Sequence, residues 1–315
     1  MSEIETNKKK FNELYSHFLE LNEASPKYIY QYCSTETFRK IIENKELWLT
    51  DPSFMNDYLE MHYLDKYINE ALLKINCDMG AKQTFYNFFQ TYACKANSFF
   101  SCFSSSGDIL SQWRSYADDG CGFSIKFDVS HWNISSGVPN QCESIPKPSS
   151  LLRMNRIHYF DEKKDKDILT KLIEITLRFI ENKNFNAQLC GSGGTSLLVS
   201  LQNIVKNPAF SEEKEVRIIY RDPSEFVGLP DFGFKSSDKD GEKNFIINNF
   251  LKEKKYRNSK NSISIYYPLT FDSEHFIKAV ILGPKNKSKD RDIESYLKHN
   301  RFNNVEVLRS AASYQ

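Results

Sequence analysis

Two glutamates and an arginine at alternate positions are the residues of this chain whose types and spacing could do chemistry: Glu213, Glu215 and Arg217, in the segment FSEEKEVRIIY. Side chains two apart on an extended strand share a face. The three therefore project together, while Val216 and Ile218 project the other way. Neighbouring carboxylates raise one another's proton affinity, and a guanidinium beside them lowers it. One carboxylate can then stabilise a cationic transition state or bind a sugar hydroxyl while the other activates a nucleophile. The same pattern also suits an edge strand carrying a solvated ladder of ion pairs, and spacing alone leaves both readings open.

Three further groupings offer contacts to a ligand. Tyr30-Gln31-Tyr32-Cys33-Ser34 runs from a strand into a helix start, where free amides and polar side chains suit a phosphate or an amide; two packed tyrosines and an N-cap would leave the same trace. Ser101, inside Phe99-Phe-Ser-Cys-Phe-Ser104, permits close approach on a strand, and Trp113 and Tyr116 supply stacking faces, unless these are ordinary aromatic core. Asn56 and Asp57, with Glu60, precede a helix; they read first as a cap and otherwise as ligand contacts. The six histidines are scattered, with no His-x-x-x-His, and no Cys-x-x-Cys occurs, so no metal site is expected. The segment KEKKYRNSK, 252–260, is basic with a tyrosine inside it; it reads as a solvated face, with nucleic-acid contact as the alternative.

These groups need elements to hold them. Apolar spacing predicts helices over 7–24, 35–44, 57–75, 80–93, 108–116, 164–183, 195–206 and 288–299. Strands are predicted over 28–32, 98–103, 121–127, 153–160, 213–220, 263–269, 276–282 and 303–308, with 47–49 extended. Gly191-Ser192-Gly193-Gly194 reads as a flexible break, 131–150 as loop, and 222–245 as a polar excursion or flap. The irregular order favours an α+β fold with mixed or antiparallel central sheets flanked by helices over a doubly wound sheet. An N-terminal helix, 1–27, would precede one domain, 28–310, with helical insertions at about 58–93 and 164–206. No Gly-x-Gly-x-x-Gly or phosphate-loop lysine motif is present.

Composition sets outer bounds. The 315 residues are 40% hydrophobic, enough for a sizeable core, and carry a formal charge of +1, which points to neither a nucleic acid nor a membrane partner. Mean hydropathy is -0.55. Seven irregularly spaced cysteines read as reduced thiols in a cytoplasmic protein. The N-terminus lacks a signal-peptide core, and no apolar run is long enough to span a bilayer.

Taken in order, the landmarks resemble a bacterial family known only as a domain of unknown function, number two-nine-seven-one. The residues that carry the likeness are Tyr30-Gln-Tyr-Cys-Ser34, Leu47-Trp-Leu-Thr50, Phe54-Met-Asn-Asp57, Ser101 to Ser104, Trp113 to Ala117, Gly122 to Asp128, Glu213 to Arg217 and Ile277 to Pro284. The chain departs from that pattern at Tyr58-Leu59-Glu60. The layout is similar to that of ADP-ribosyltransferases, and that resemblance implies an NAD-consuming transferase, with NAD as substrate. Glu215 would be the catalytic glutamate and Glu213 would orient the acceptor. Tyr30, Gln31, Tyr32, Ser34, Asn56, Ser101, Trp113, Tyr116 and Arg217 would bind the dinucleotide. Gln31 stands where the larger group carries a first-strand His or Arg. The implied acceptor is a macromolecule, RNA, DNA or protein, and the implied setting a toxin or phage-defence effector with a possible antitoxin. Two rival expectations remain: a non-catalytic nucleotide- or peptide-binding module, and a metal-dependent nuclease using Asp57, Glu60, Glu213 and Glu215.

Overall fold

The computed structural model describes residues 3–19, 26–54, 61–94, 98–137, 151–222, 249–259 and 262–314. In chain order the regular elements are α1 (Glu3–Phe18), β1 (Tyr28–Cys33), α2 (Thr35–Asn44), β2 (Glu46–Thr50), α3 (Asp65–Lys74), α4 (Met79–Cys94), β3 (Ser98–Ser104), α5 (Leu110–Tyr116) and β4 (Phe123–Asp128). They continue with β5 (Ser135–Ser136), β6 (Leu152–Arg156), β7 (His158–Tyr159), α6 (Glu162–Glu181), α7 (Phe185–Leu201), β8 (Val205–Lys206) and β9 (Glu215–Arg221). β10 (Lys255–Ser259), β11 (Ser262–Thr270), β12 (Ile277–Leu282), α8 (Asp290–His299) and β13 (Glu306–Arg309) complete them.

The fold is α+β: a mixed, curled sheet of eleven strands flanked by helices. Its main path runs β10-β11-β2-β3-β1-β4-β12-β13, and β9 joins β3 to β6. One feature of the pairing positions the site. Along one edge β3 is paired with β9 over its whole length, Ser98↔Arg221 to Ser104↔Glu215. Along the other edge it meets β2 only at Phe100↔Thr50 and β1 only at Ser104↔Tyr30. β2 then turns to β11, and β1 to β4. The sheet therefore forks, and Ser101, Cys102 and Phe103 form the floor of the fork.

Alternation along β3 and β9 sorts the two cores. Phe99, Phe103, Val216, Ile218 and Tyr220 join a core that includes Phe38 and Ile42 of α2 and Leu297 of α8. Phe100 and Ile219 face the opposite way, into a core built by α1, α3, α4, α6 and α7. The N-terminal helix is thus part of the helical layer, with Phe11, Tyr15 and Phe18 buried in it. No helix among the described residues is long and apolar enough to cross a membrane.

Several boundaries differ from the sequence reading, each for a local reason. Gly191 to Gly194 is no break: it lies inside α7. A Cβ on Gly191 would stand 2.6 Å from Ile180 Cγ1, and one on Gly194 2.8 Å from Thr176 Oγ1. The glycines let α7 lie close against α6, which outweighs their low helix propensity. The strand expected from 213 starts at Glu215, because Asn207 caps a 3-10 turn over Pro208–Glu213 and Lys214 closes it with φ 47°. The strand expected at 153–160 divides into β6 and β7. Of the 222–245 excursion, all but Asp222 lies outside the described residues, as does 138–150 of the expected loop.

Candidate functional site

A cavity of about 570 Å³ opens at the fork, within the range of cofactor and ligand pockets. Tyr30, Gln31 and Tyr32 line it from β1, Leu47, Trp48 and Thr50 from β2, and Phe100 to Ser104 from β3. Gln112 and Tyr116 of α5 add to the wall, with Lys206, Glu213 and Glu215 at one end and Arg257 on the hairpin strand β10.

The acidic end is a buried network. Lys206 Nζ donates to Glu213 Oε2 at 2.6 Å and to Glu215 Oε2 at 3.0 Å. Arg217 closes on the other side of Glu215, Nε to Oε1 at 2.6 Å and Nη2 to Oε2 at 3.2 Å, while Nη1 donates to the Asn203 carbonyl at 2.8 Å. The guanidinium also lies 4.7 Å from the Phe100 ring. Two cations and two carboxylates balance, which is what lets such charge remain buried. Burial pushes the Glu215 carboxyl above its ordinary range, against the pull of the Lys206 ammonium. Burial works against the Lys206 charge too, yet the two carboxylates hold its pKa above the usual lysine value. Cys102 is raised well above a normal thiol, first by burial and then by Glu215.

Within this network the two glutamates are not equivalent. The Glu215 side chain is 5% exposed and the Glu213 side chain 14%. Glu213 also accepts from the Tyr116 hydroxyl at 3.1 Å, and Tyr116 is 43% exposed. Burial and the Glu213 charge raise the Tyr116 phenol, so it stays protonated and donates. Glu213 is the outward carboxylate of the pair; Glu215 anchors the cations behind it.

The arginine wall is built differently. Arg257 lies 5.1 Å from the Trp48 ring, and its Nε is buried with no hydrogen-bond partner. Among the described residues no carboxylate pairs with it. Burial pulls its pKa below the ordinary value, with Tyr266 opposing. Nearby Glu46 is already engaged, accepting from Trp48 Nε1 at 2.9 Å and Lys255 Nζ at 3.2 Å. Glu36 and Lys40, on the α2 side, pair with each other at 2.6 Å.

Of the residues expected from sequence, Tyr30, Gln31, Tyr32, Ser101, Tyr116, Glu213 and Glu215 all line this one cavity. Tyr32 contributes wall only, since its hydroxyl donates to the Ser106 carbonyl at 3.0 Å and accepts from Ile109 N at 2.8 Å. Gln31 Oε1 is buried without a partner. Three expectations are corrected. Trp113 has no exposed face: it is fully buried against Tyr32, and its Nε1 donates to Asp108 at 2.6 Å. Ser34 is the N-cap of α2, accepting from Thr37 N at 3.1 Å, and does not line the cavity. Arg217 is 1% exposed and bound to Glu215, so it holds a carboxylate rather than a ligand. Asn56, with Asp57 and Glu60, lies outside the described residues.

Four residues escaped the sequence reading. Lys206 and Gln112 carried no motif, and Trp48 stood in a landmark to which no ligand contact was assigned; Gln112 is 7% exposed with no side-chain hydrogen bond to another described residue. Arg257 sat within the basic segment read as a solvated face. The signal available for it was the alternation of β10, which turns Arg257 inward while Tyr256 is 61% exposed.

Fold and site together define an α+β protein with a forked sheet whose cleft joins a paired acidic cluster to an arginine that has no carboxylate partner among the described residues. A family model described as a protein of unknown function (DUF2971) matches residues 112–218, about a third of the chain. The matched stretch runs from Gln112 through Tyr116, Lys206, Glu213 and Glu215 to Arg217 and so contains the acidic end of the cavity. No curated protein and no solved structure matches the chain.

Proposed function

We propose that the fork cavity takes NAD and that the protein is an ADP-ribosyltransferase-like enzyme delivering ADP-ribose to a macromolecular acceptor. One observation carries the reading: a single cavity of about 570 Å³ is shared by an outward carboxylate hydrogen-bonded to a tyrosine and by an arginine on a tryptophan face whose buried Nε has no hydrogen-bond partner among the described residues. A dinucleotide asks for both: a cationic, weakly screened contact for its pyrophosphate and a carboxylate where positive charge grows on a ribose.

On this reading Arg257 binds the pyrophosphate, and Trp48 keeps the guanidinium oriented and poorly hydrated. Loss of nicotinamide breaks the C–N glycosidic bond, the electron pair leaving with the pyridine nitrogen, and an oxocarbenium-like ribose results, as in glycoside cleavage. Glu213 faces that charge and can accept a ribose hydroxyl. Lys206, Glu215 and Arg217 position it. The exposed Tyr116 and Phe210 flank Glu213 at the mouth, where an acceptor, nucleic acid or protein, would dock. A toxin or defence role and a cognate antitoxin follow from the family resemblance alone.

The test is nicotinamide release from NAD. Glu213→Gln should lower turnover at least ~100-fold with little loss of fold. Glu215→Gln should lower it as well, but with a loss of stability, because Lys206 and Arg217 lose their shared anion. Wild-type turnover in both variants would discard the mechanism. A second reading, a nucleotide-binding module without turnover, is favoured by the complete pairing of Glu215; binding of NAD with no nicotinamide released would select it. The metal-dependent nuclease gains nothing from the site, since the Lys206 ammonium already bridges the two carboxylates that would hold the ion.

A further inference from the structure

Away from the fork, three side chains widely separated in sequence meet in the helical layer. His17 lies in the last turn of α1, His158 in β7 and Asp165 in the first turn of α6. His17 Nε2 is 2.7 Å from Asp165 Oδ1, and His158 Nε2 is 2.7 Å from Asp165 Oδ2. The backbone N of Asp161 donates to Oδ2 at 2.6 Å, fixing the carboxylate. The imidazole rings stand 5.3 Å apart, with Phe18 packed edge-on against both.

Asp165 is 1% exposed, and no lysine or arginine pairs with it among the described residues. This sets it apart from the buried carboxylate of Glu215, which has two fixed cations. A buried carboxylate needs a compensating charge, and here, apart from the Asp161 amide, the groups seen on it are two imidazole nitrogens.

We propose that His17, His158 and Asp165 bind a divalent transition-metal ion of the zinc class. The three ligand atoms lie within 4.8 Å of one another. A tetrahedral ion with bonds of ~2.05 Å separates its ligand atoms by roughly 3.4 Å, so the 2.7 Å contacts need open by only about 0.7 Å. Two imidazoles and one carboxylate select zinc, cobalt or nickel over magnesium and calcium, which prefer all-oxygen shells. His17 is 37% exposed, so the fourth position faces solvent and takes water. The Asp161 amide, and Phe18 against the rings, supply the outer support that metal-binding groups require. The ion ties α1 to β7 and α6, so its effect is on the attachment of the N-terminal helix and not on the chemistry of the fork.

The experiment uses the full chain, stripped with a chelator and titrated with Zn²⁺, Co²⁺ and, for contrast, Mg²⁺. One equivalent of Co²⁺ should bind with visible d–d absorption of a four- or five-coordinate ion. Zn²⁺ at a hundredfold excess over its Kd should raise Tm by ~4 °C or more, and Mg²⁺ should do neither. His17→Ala, at a partly exposed position, should fold and lose both signals; Asp165→Asn is the more disruptive second variant. Absence of the band and of the Tm shift in the wild-type chain overturns the proposal, as does unchanged Co²⁺ binding in His17→Ala.

Discussion

Arg217, bound to Glu215 at the acidic end of the cavity, and Arg257, in the cavity wall, teach opposite lessons. Arg217 is 1% exposed, forked onto Glu215, bonded to the Asn203 carbonyl and stacked over Phe100. Arg257 is stacked over Trp48 with its Nε buried and unsatisfied. The first guanidinium has spent its donors on the protein. The second keeps its Nε donor unused among the described residues, and partial burial lowers its pKa. A satisfied charge maintains the fold, whereas an unsatisfied one waits for an anion.

Breaking the paired side should have the largest effect. Arg217→Met leaves Glu215 buried with Lys206 as its only cation, and removal of one partner from a buried ion pair costs about 3–5 kcal/mol. Urea denaturation should show that loss in the midpoint with an unchanged slope; a variant as stable as wild type would refute the assignment of Arg217 to structure. Breaking the unpaired side should do the reverse. Arg257→Ala should leave stability within ~0.5 kcal/mol but weaken binding of NAD or ADP-ribose by about 1.5–3 kcal/mol, the worth of hydrogen bonds to a charged group. Equilibrium titration reads the difference, and unchanged affinity would remove Arg257 from the site.

The contrast also marks how far the sequence could be read. The strand alternation of Glu215 and Arg217 against Val216 and Ile218 was legible because each side chain obeys a period of two; Glu213, expected on the same strand face, lies instead in the 3-10 turn before β9. So was the convergence of Tyr30, Ser101 and Tyr116 on Glu213 and Glu215, since each lies on a strand or helix that the sequence marks. The role of Arg217 was not legible: spacing puts it beside Glu215 but is silent on whether its fork turns to a ligand or to a neighbour. Trp113 was misjudged because an aromatic on a short helix is as well suited to a core as to a stacking face. Lys206 and Arg257 reach the cavity from β8 and from β10 at the sheet edge, and only tertiary packing brings them there. The same holds for His17 and Asp165, which are separated by 148 positions. Glycines 191 and 194 failed as a break because helix contact, absent from any local pattern, overrode propensity.

Gln112 gives the smallest and sharpest probe, because it belongs to neither arginine's regime by charge. It is 7% exposed, lines the cavity and has no side-chain hydrogen bond to another described residue. The amide belongs to the cavity lining and is not sealed in the core, so exchanging it for an apolar side chain of similar volume should cost the fold little. If Gln112 resembles Arg257 in being held for a ligand, Gln112→Leu should keep Tm while weakening NAD binding ~5- to 10-fold, the value of about one hydrogen bond. If it resembles Arg217 and serves the fold, Tm should fall and affinity should hold. Thermal melting and titration of the same preparation separate the two, and the ligand-side outcome would extend the unsatisfied surface from the arginine wall across the cavity to α5.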